Sequence, residues 1–149
     1  MKNLRKDQGG VMLLEAMIGI LIFSLGVLAL VAMQAVSTSN VSNSRYRSEA
    51  AFLANEIAAA AWIGRGAKGA NIPTYKWPGG NQTTKLWVDK VNSLLPQATT
   101  YPPTITQTPI PGMANGAQLT ITVQWKAPDA LTPSNHVAIA YVSEPEPTP

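Results

Sequence analysis

At 149 residues the chain has room for one small independently folding domain beside a membrane segment, and two full domains are excluded. It contains no cysteine, so disulfides, thiolate metal sites and a Cys nucleophile are ruled out. The formal charge is +3, but Lys2, Arg5 and Lys6 against Asp7 supply +2 of it; from Val11 onward 8 Lys and Arg meet 7 Asp and Glu, a nearly neutral body with no basic footprint for nucleic acid.

Residues 1–10, MKNLRKDQGG, are polar and basic and end in two glycines. The 23 residues from Val11 to Met33 are all apolar or small except Glu15, and as a helix they are long enough to cross a bilayer core. The positive-inside rule holds the basic start in the cytoplasm and places the chain beyond Met33 outside it. A secretory signal peptide shares the basic start, but its apolar core runs about 7–15 residues, and the best small-residue cut, after Ala35, lacks an A-x-A pattern. Glu15 is the most informative residue. A charge within a spanning segment costs about 2.5–3.5 kcal/mol on insertion scales, so an acid retained there is read by default as a functional site with a partner.

From Val11 to Trp62 there is no proline, and Gly19 and Gly26 are the only glycines, which allows one helix of about 52 residues, roughly 78 Å. Its weak zone is Ser37–Ser44, STSNVSNS, whose short polar side chains compete for backbone hydrogen bonds; a bend or fraying is expected there. In Arg45–Trp62, Leu53, Ile57 and Ala61 with Ala50 and Ala54 form a stripe suited to packing on a sheet, and Arg45 and Glu49 are spaced as an i, i+4 pair. Gly64 and Gly66 end the helix.

Residues 64–83, with five glycines and two prolines, read as a loop with a short extended piece near Tyr75. A second helix is predicted over Thr84–Leu95, with Trp87, Val91, Leu94 and Leu95 over the core and Pro96 as its stop. Ala98–Thr108, interrupted by Pro102 and Pro103, reads as an edge or bulged strand. Asn115-Gly116 signals a turn into Gln118–Lys126, where Leu119, Ile121, Val123 and Trp125 alternate with polar residues. After a turn at Ala127–Asn135, His136–Ser143 alternates again through Val137, Ile139 and Tyr141. A three- or four-stranded antiparallel sheet on Arg45–Trp62 makes an α+β head. Residues 144–149, EPEPTP, have nothing to bury and are expected to be disordered.

The head offers no catalytic constellation. His136 is the one histidine, Asp89 and Asp129 are unconnected, and the glycines of Gly64–Gly80 follow a helix and lack GxxxxGK[ST]. The chain therefore reads as a non-enzyme with no cofactor or metal. Arg65, Lys68, Lys76 and Lys85 lie among Tyr75, Trp77 and Trp87, a mixture a single-strand groove could use, but four cations in such a stretch describe an ordinary solvated loop, and a nucleic-acid partner is set aside.

The basic leader ending at Gly10, the apolar run opening at Val11, and Glu15 as the fifth residue after that glycine resemble the class III signal of type IV pilin-like proteins. The resemblance is specific over residues 5–40. It implies a long N-terminal helix, transmembrane in its first half, packed on a small antiparallel sheet. It also implies cleavage after Gly10 by an inner-membrane prepilin peptidase, methylation of Val11 as the new N-terminus, and an assembly role for Glu15. The family most often has Phe where this chain has Val11. Major pilins often carry a proline in the second half of the apolar run, whereas the first here is Pro73; within the family the chain is most similar to minor pilins. The implied division is a leader at 1–10, a transmembrane and assembly half at 11–35, a periplasmic head at 36–143 and a tail at 144–149. The implied partners are major and minor pilin subunits, the peptidase, an inner-membrane assembly platform and the membrane itself. The implied location is the inner membrane with the head in the periplasm, then the cell-surface pilus. A pseudopilin of a type II secretion system shares the same N-terminal chemistry, and a single-pass anchored binding domain that never polymerises is the more distant alternative.

Cleavage after Gly10 would place a positive amine at Val11, four residues and about 6 Å of rise from Glu15. That amine, or a neighbouring subunit's, would pair with the carboxylate at about 4 kcal/mol for 4 Å and an effective dielectric near 20, comparable with the insertion cost. Gly19 and Gly26, seven apart, allow close helix approach; glycine is also common in membrane helices and the spacing is not GxxxG, so both readings stand.

Overall fold

The structure, a computed structural model, describes residues 9–113 and 115–143. Leader residues 1–8 and the tail expected to be disordered at 144–149 lie outside the described residues. The chain divides into two compact units, Met1–Val41 and Ser42–Pro149. The architecture is α+β: a long apolar N-terminal helix and a small three-stranded antiparallel sheet, with a second helix between them in sequence.

The first helix, α1, runs Gly9–Ile63, 55 residues. Helical conformation continues through Ser37–Ser44, where a bend or fraying is expected from composition. Part of the reason is visible at Thr38, whose hydroxyl donates back to the Gln34 carbonyl at 3.0 Å and so joins the helix rather than competing with it. Two features close the C-terminal end. The Gly64 N–H donates to the Ala60 carbonyl at 2.8 Å, and Arg65 donates to the Trp62 carbonyl at 2.6 Å while its guanidinium lies 4.9 Å from the Trp62 ring.

In the second unit, Ala50, Leu53, Ala54, Ile57 and Ala61 are the buried face of α1, as their spacing requires. The connection that follows holds two single-turn 3-10 helices, Ala67–Gly69 and Ile72–Thr74, and then a short extended piece in which Trp77 bridges Ile105. Helix α2 spans Gln82–Leu94. It begins two residues before the expected start because Asn81 caps it, its side chain accepting from the Thr84 N–H at 2.9 Å. Its buried face is Thr84, Trp87, Val88 and Val91, continued by Leu95; Leu94, expected to point inward, is 44% exposed. Trp87 Nε1 donates to the Leu53 carbonyl at 2.8 Å, and Lys90 reaches Glu56 at 2.7 Å, tying α2 to α1. That half-exposed pair contributes about 1 kcal/mol at most. It is the ion pair seen among the described residues; the i, i+4 pair of Arg45 with Glu49, in the weaker basic-first order, does not form.

The strands are β1 (Thr104–Pro109), β2 (Ala117–Trp125) and β3 (Ser134–Val142), in that order across the sheet. Strand β1 starts after Pro102 and Pro103 and lies at an edge, consistent with the missing N–H donors of proline. The tight turn between β1 and β2 is Ile110–Met113, with Pro111 and Gly112 at its centre. The Met113 N–H donates to the Ile110 carbonyl at 3.2 Å, and Gly112 has φ 82°. Asn115-Gly116 instead follows that turn and leads into β2. Along β2, Ala117, Leu119, Ile121, Val123 and Trp125 are all buried.

Strand β3 differs from the simplest reading of its alternation. Its pairing places Ser134, His136, Ala138, Ala140 and Val142 opposite Trp125, Val123, Ile121, Leu119 and Ala117 on the core side, and leaves Val137, Ile139 and Tyr141 exposed on the outer face. The cause is volume: where β2 offers Leu119 and Ile121, the space that remains suits alanines. Ile121 and Ile139 therefore form a controlled comparison of the same residue type on adjacent strands. In chemical denaturation followed by tryptophan fluorescence, Ile121→Ala is expected to cost about 2–5 kcal/mol and Ile139→Ala within about 0.5 kcal/mol of zero. Equal costs would contradict the assigned facing.

Candidate functional site

The candidate site is the N-terminal part of α1, from Gly10 through Met33. Helical geometry satisfies every interior backbone donor and acceptor within the segment itself, the condition for lying in lipid. The side chains then decide its environment. The helix includes a window of mean hydropathy 2.6 with no part of that window buried by the protein, and it is long and apolar enough to span a membrane. Val11 is 68% exposed, and Leu21, Phe23 and Leu28 are likewise open. A continuous surface of this kind belongs against lipid or other apolar helices and not in water.

Gly10 and Val11 lie at the start of α1, and Glu15 follows four residues after Val11, still near the positive end of the helix dipole. On a helix of 3.6 residues per turn, Val11, Glu15, Gly19, Ile22 and Gly26 fall within about 80° of arc. The helix thus puts Glu15 and both glycines on one side. Glu15 is exposed and makes no ion pair with another described residue. A Cβ added at Gly10, Gly19 or Gly26 would meet nothing within 4 Å. Nothing in the described chain itself therefore requires glycine at 19 or 26, and any such requirement comes from outside it. Ser24 is internally satisfied, its hydroxyl donating to the Ile20 carbonyl at 2.7 Å.

In the head, His136 lies on the core side of β3 opposite Val123. Among the described residues no group of three or more His, Cys, Asp and Glu converges as a metal site would need. The four cations near Tyr75, Trp77 and Trp87 in sequence are placed differently from one another: Arg65 caps α1 over Trp62, while Lys68, Lys76 and Lys85 are exposed. Trp87 is buried and bonded to Leu53, so it offers no stacking platform. A shallow groove of about 230 Å³ lies between α1 and α2, lined by Glu56, Ile57, Ala60, Thr83, Leu86 and Lys90, and its two charged groups, Glu56 and Lys90, are paired with each other.

No protein-family model, curated protein or solved structure matches the chain. The functional argument therefore rests on the segment's own chemistry.

Because Gly19 and Gly26 face open space, Gly19→Ala and Gly26→Ala are expected to leave the isolated subunit in detergent as stable as before, or up to about 1 kcal/mol more stable per site through helix propensity. Thermal unfolding followed by circular dichroism at the helix band checks this. A destabilised subunit would mean that the glycines serve its own fold.

Proposed function

We propose that the chain is a minor subunit of a type IV pilus, of the kind described as a pilus modification protein. In this reading a prepilin peptidase cuts after Gly10, Val11 becomes a methylated N-terminus, and the subunit waits in the inner membrane with its head in the periplasm. An assembly platform then moves it into the filament beside major and minor pilins, where it serves in priming, tip formation or modification of the fibre and so in twitching motility and adhesion. The supporting observation is the face of α1 that carries Val11, Glu15, Gly19 and Gly26 in the otherwise apolar, unburied N-terminal part of that helix.

The physical logic is differential. In a lone subunit Glu15 lies near one end of the apolar segment, where its carboxylate can snorkel to the interface, so it needs no partner to be tolerated. Between packed apolar helices water is gone, and an amine at about 4 Å offsets the burial cost with about 4 kcal/mol of attraction. The acid thus sets the stagger between subunits, and the glycines on the same side let a neighbouring backbone approach.

Mass spectrometry of the membrane form is expected to find an N-terminus at Val11 carrying a methyl group; an intact Met1, or a cut near Ala35, would overturn the reading. Glu15→Ala is expected to be cleaved normally yet to be absent from sheared filaments, and its normal incorporation would refute the pairing role. Deletion of the gene, scored for surface piliation and twitching against protein secretion, separates a pilus subunit from a pseudopilin of a type II secretion system.

A further inference from the structure

We propose that the connection after α1 forms a docking surface for an acidic extended peptide, and that the peptide it takes is the segment following β3 in the same chain, with Glu144 set against Lys68. This inference concerns the unit Ser42–Pro149 alone and does not depend on the pilus reading.

The charges of the head are segregated. Residues 57–88 carry Arg65, Lys68, Lys76 and Lys85 and no Asp or Glu, and residues 104–125 carry no charge at all. Arg65 is committed to the Trp62 carbonyl and ring, whereas Lys68, Lys76 and Lys85 are exposed and make no ion pair with another described residue. Glu56, the acid that precedes this stretch, is taken by Lys90. Lys68 has φ 54° and is followed by Gly69 at φ 69°, a left-handed pair that lays the connection against the entry to β2. The approach is close: a Cβ on Gly69 would come 2.7 Å from the Asn115 carbonyl oxygen.

The sheet delivers two acids to this place. Val142, the last residue of β3, pairs with Ala117, the first of β2. Continued by two residues, the same register brings Glu144 level with Asn115, and the alternation that turns Ala140 and Val142 to the core side turns Glu144 the same way, toward Gly69 and Lys68. On that side a groove of about 280 Å³ opens between the connection and the β1–β2 hairpin, lined by Gly69, Ile72, Pro73, Gln107, Asn115 and Ala117. Glu144 precedes Pro145 and Glu146 precedes Pro147, so both are biased to extended backbone, and docking costs them less conformational freedom than it would a flexible segment. The segment has nothing apolar to bury, so charge is what orders it. The tether of two residues from Val142, at most about 7 Å, holds Glu144 at Lys68 at an effective concentration that a free acidic peptide would have to exceed.

The native side chains supply the test. The full-length chain in detergent is treated with a carbodiimide, which joins a lysine amine to a carboxylate in contact with it as an amide, and the monomer is isolated, digested and read by mass spectrometry. Glu144 is expected to be linked to Lys68 about tenfold more than to Lys126, which follows β2 at the opposite end of the sheet, roughly 30 Å along the strand and beyond the reach of so short a tether. The link is expected to weaken at about 1 M salt, where the screening length falls to about 3 Å. Lys68→Glu is expected to abolish it, and Lys68→Glu with Glu144→Lys to restore it between the same two positions. Glu144→Gln with Glu146→Gln is expected to speed amide hydrogen exchange in Ala67–Thr74 about threefold while leaving the thermal unfolding curve unchanged. No link between positions 68 and 144, equal linkage to Lys126, a link found only between two chains, failure of the charge swap to restore it, or exchange unaffected by the glutamines would each overturn the proposal.

Discussion

Ala50, Leu53, Ala54, Ile57 and Ala61 lay a narrow stripe of small and apolar side chains along one side of α1, and the other elements of the head converge on it. The alanines let neighbours come close and the two larger residues fill the space between them. Trp87 exploits that closeness, because its indole N–H can reach the Leu53 carbonyl only when α2 packs tightly against a thin part of the helix. The same stripe receives Ile105, Leu119, Ile121 and Val123 from the sheet. Replacing an alanine here with a larger residue would push α2 and the sheet outward together, because both rest on the same helix face.

Much of this was legible because the responsible pattern was local. In β2 every second residue is apolar over nine positions, and burial follows that period without exception. The α1 stripe and the stop of α2 before Pro96 depend on helical spacing and on the missing proline N–H, both visible in the sequence. The outer facing of β3 was not legible, since alternation states that two faces differ but not which one meets the core. The competing alanines at 138 and 140 are chosen by the volume of Ile121 and Leu119, which belong to another strand. Pro111-Gly112 was overshadowed by Asn115-Gly116, although a proline followed by a glycine suits the centre of a turn with positive φ. Asn81 as a cap is not marked by the spacing of Trp87, Val91, Leu94 and Leu95, which sets the expected start at Thr84.

The apolar part of α1 obeys a different logic from the head. Its backbone is satisfied internally, its glycines touch nothing, and its one acid has no partner among the described residues. Stability of the single chain explains the helix but none of these particular choices. They acquire meaning only in contact with lipid or with other helices, and for that reason the site was readable from sequence as a pattern while the single-chain structure adds chiefly the shared face.

Gln107 has a consequence for the sheet. Its side-chain amide donates to the Ile72 carbonyl at 2.7 Å and to the Tyr75 carbonyl at 2.8 Å, so one side chain on the core side of β1 holds two points of the connection after α1. The outward positions, Thr104, Thr106 and Thr108, are alike and do little to fix the alignment, so on β1 the buried Ile105 and the half-buried Gln107 carry it. A slip of one residue would turn Ile105 out of the core and Gln107 outward with it, and would present a threonine too short to reach either carbonyl. The amide therefore adds to the apolar anchor at Ile105 a polar key that fits one alignment, and it makes the order of the connecting loop a readout of correct strand register.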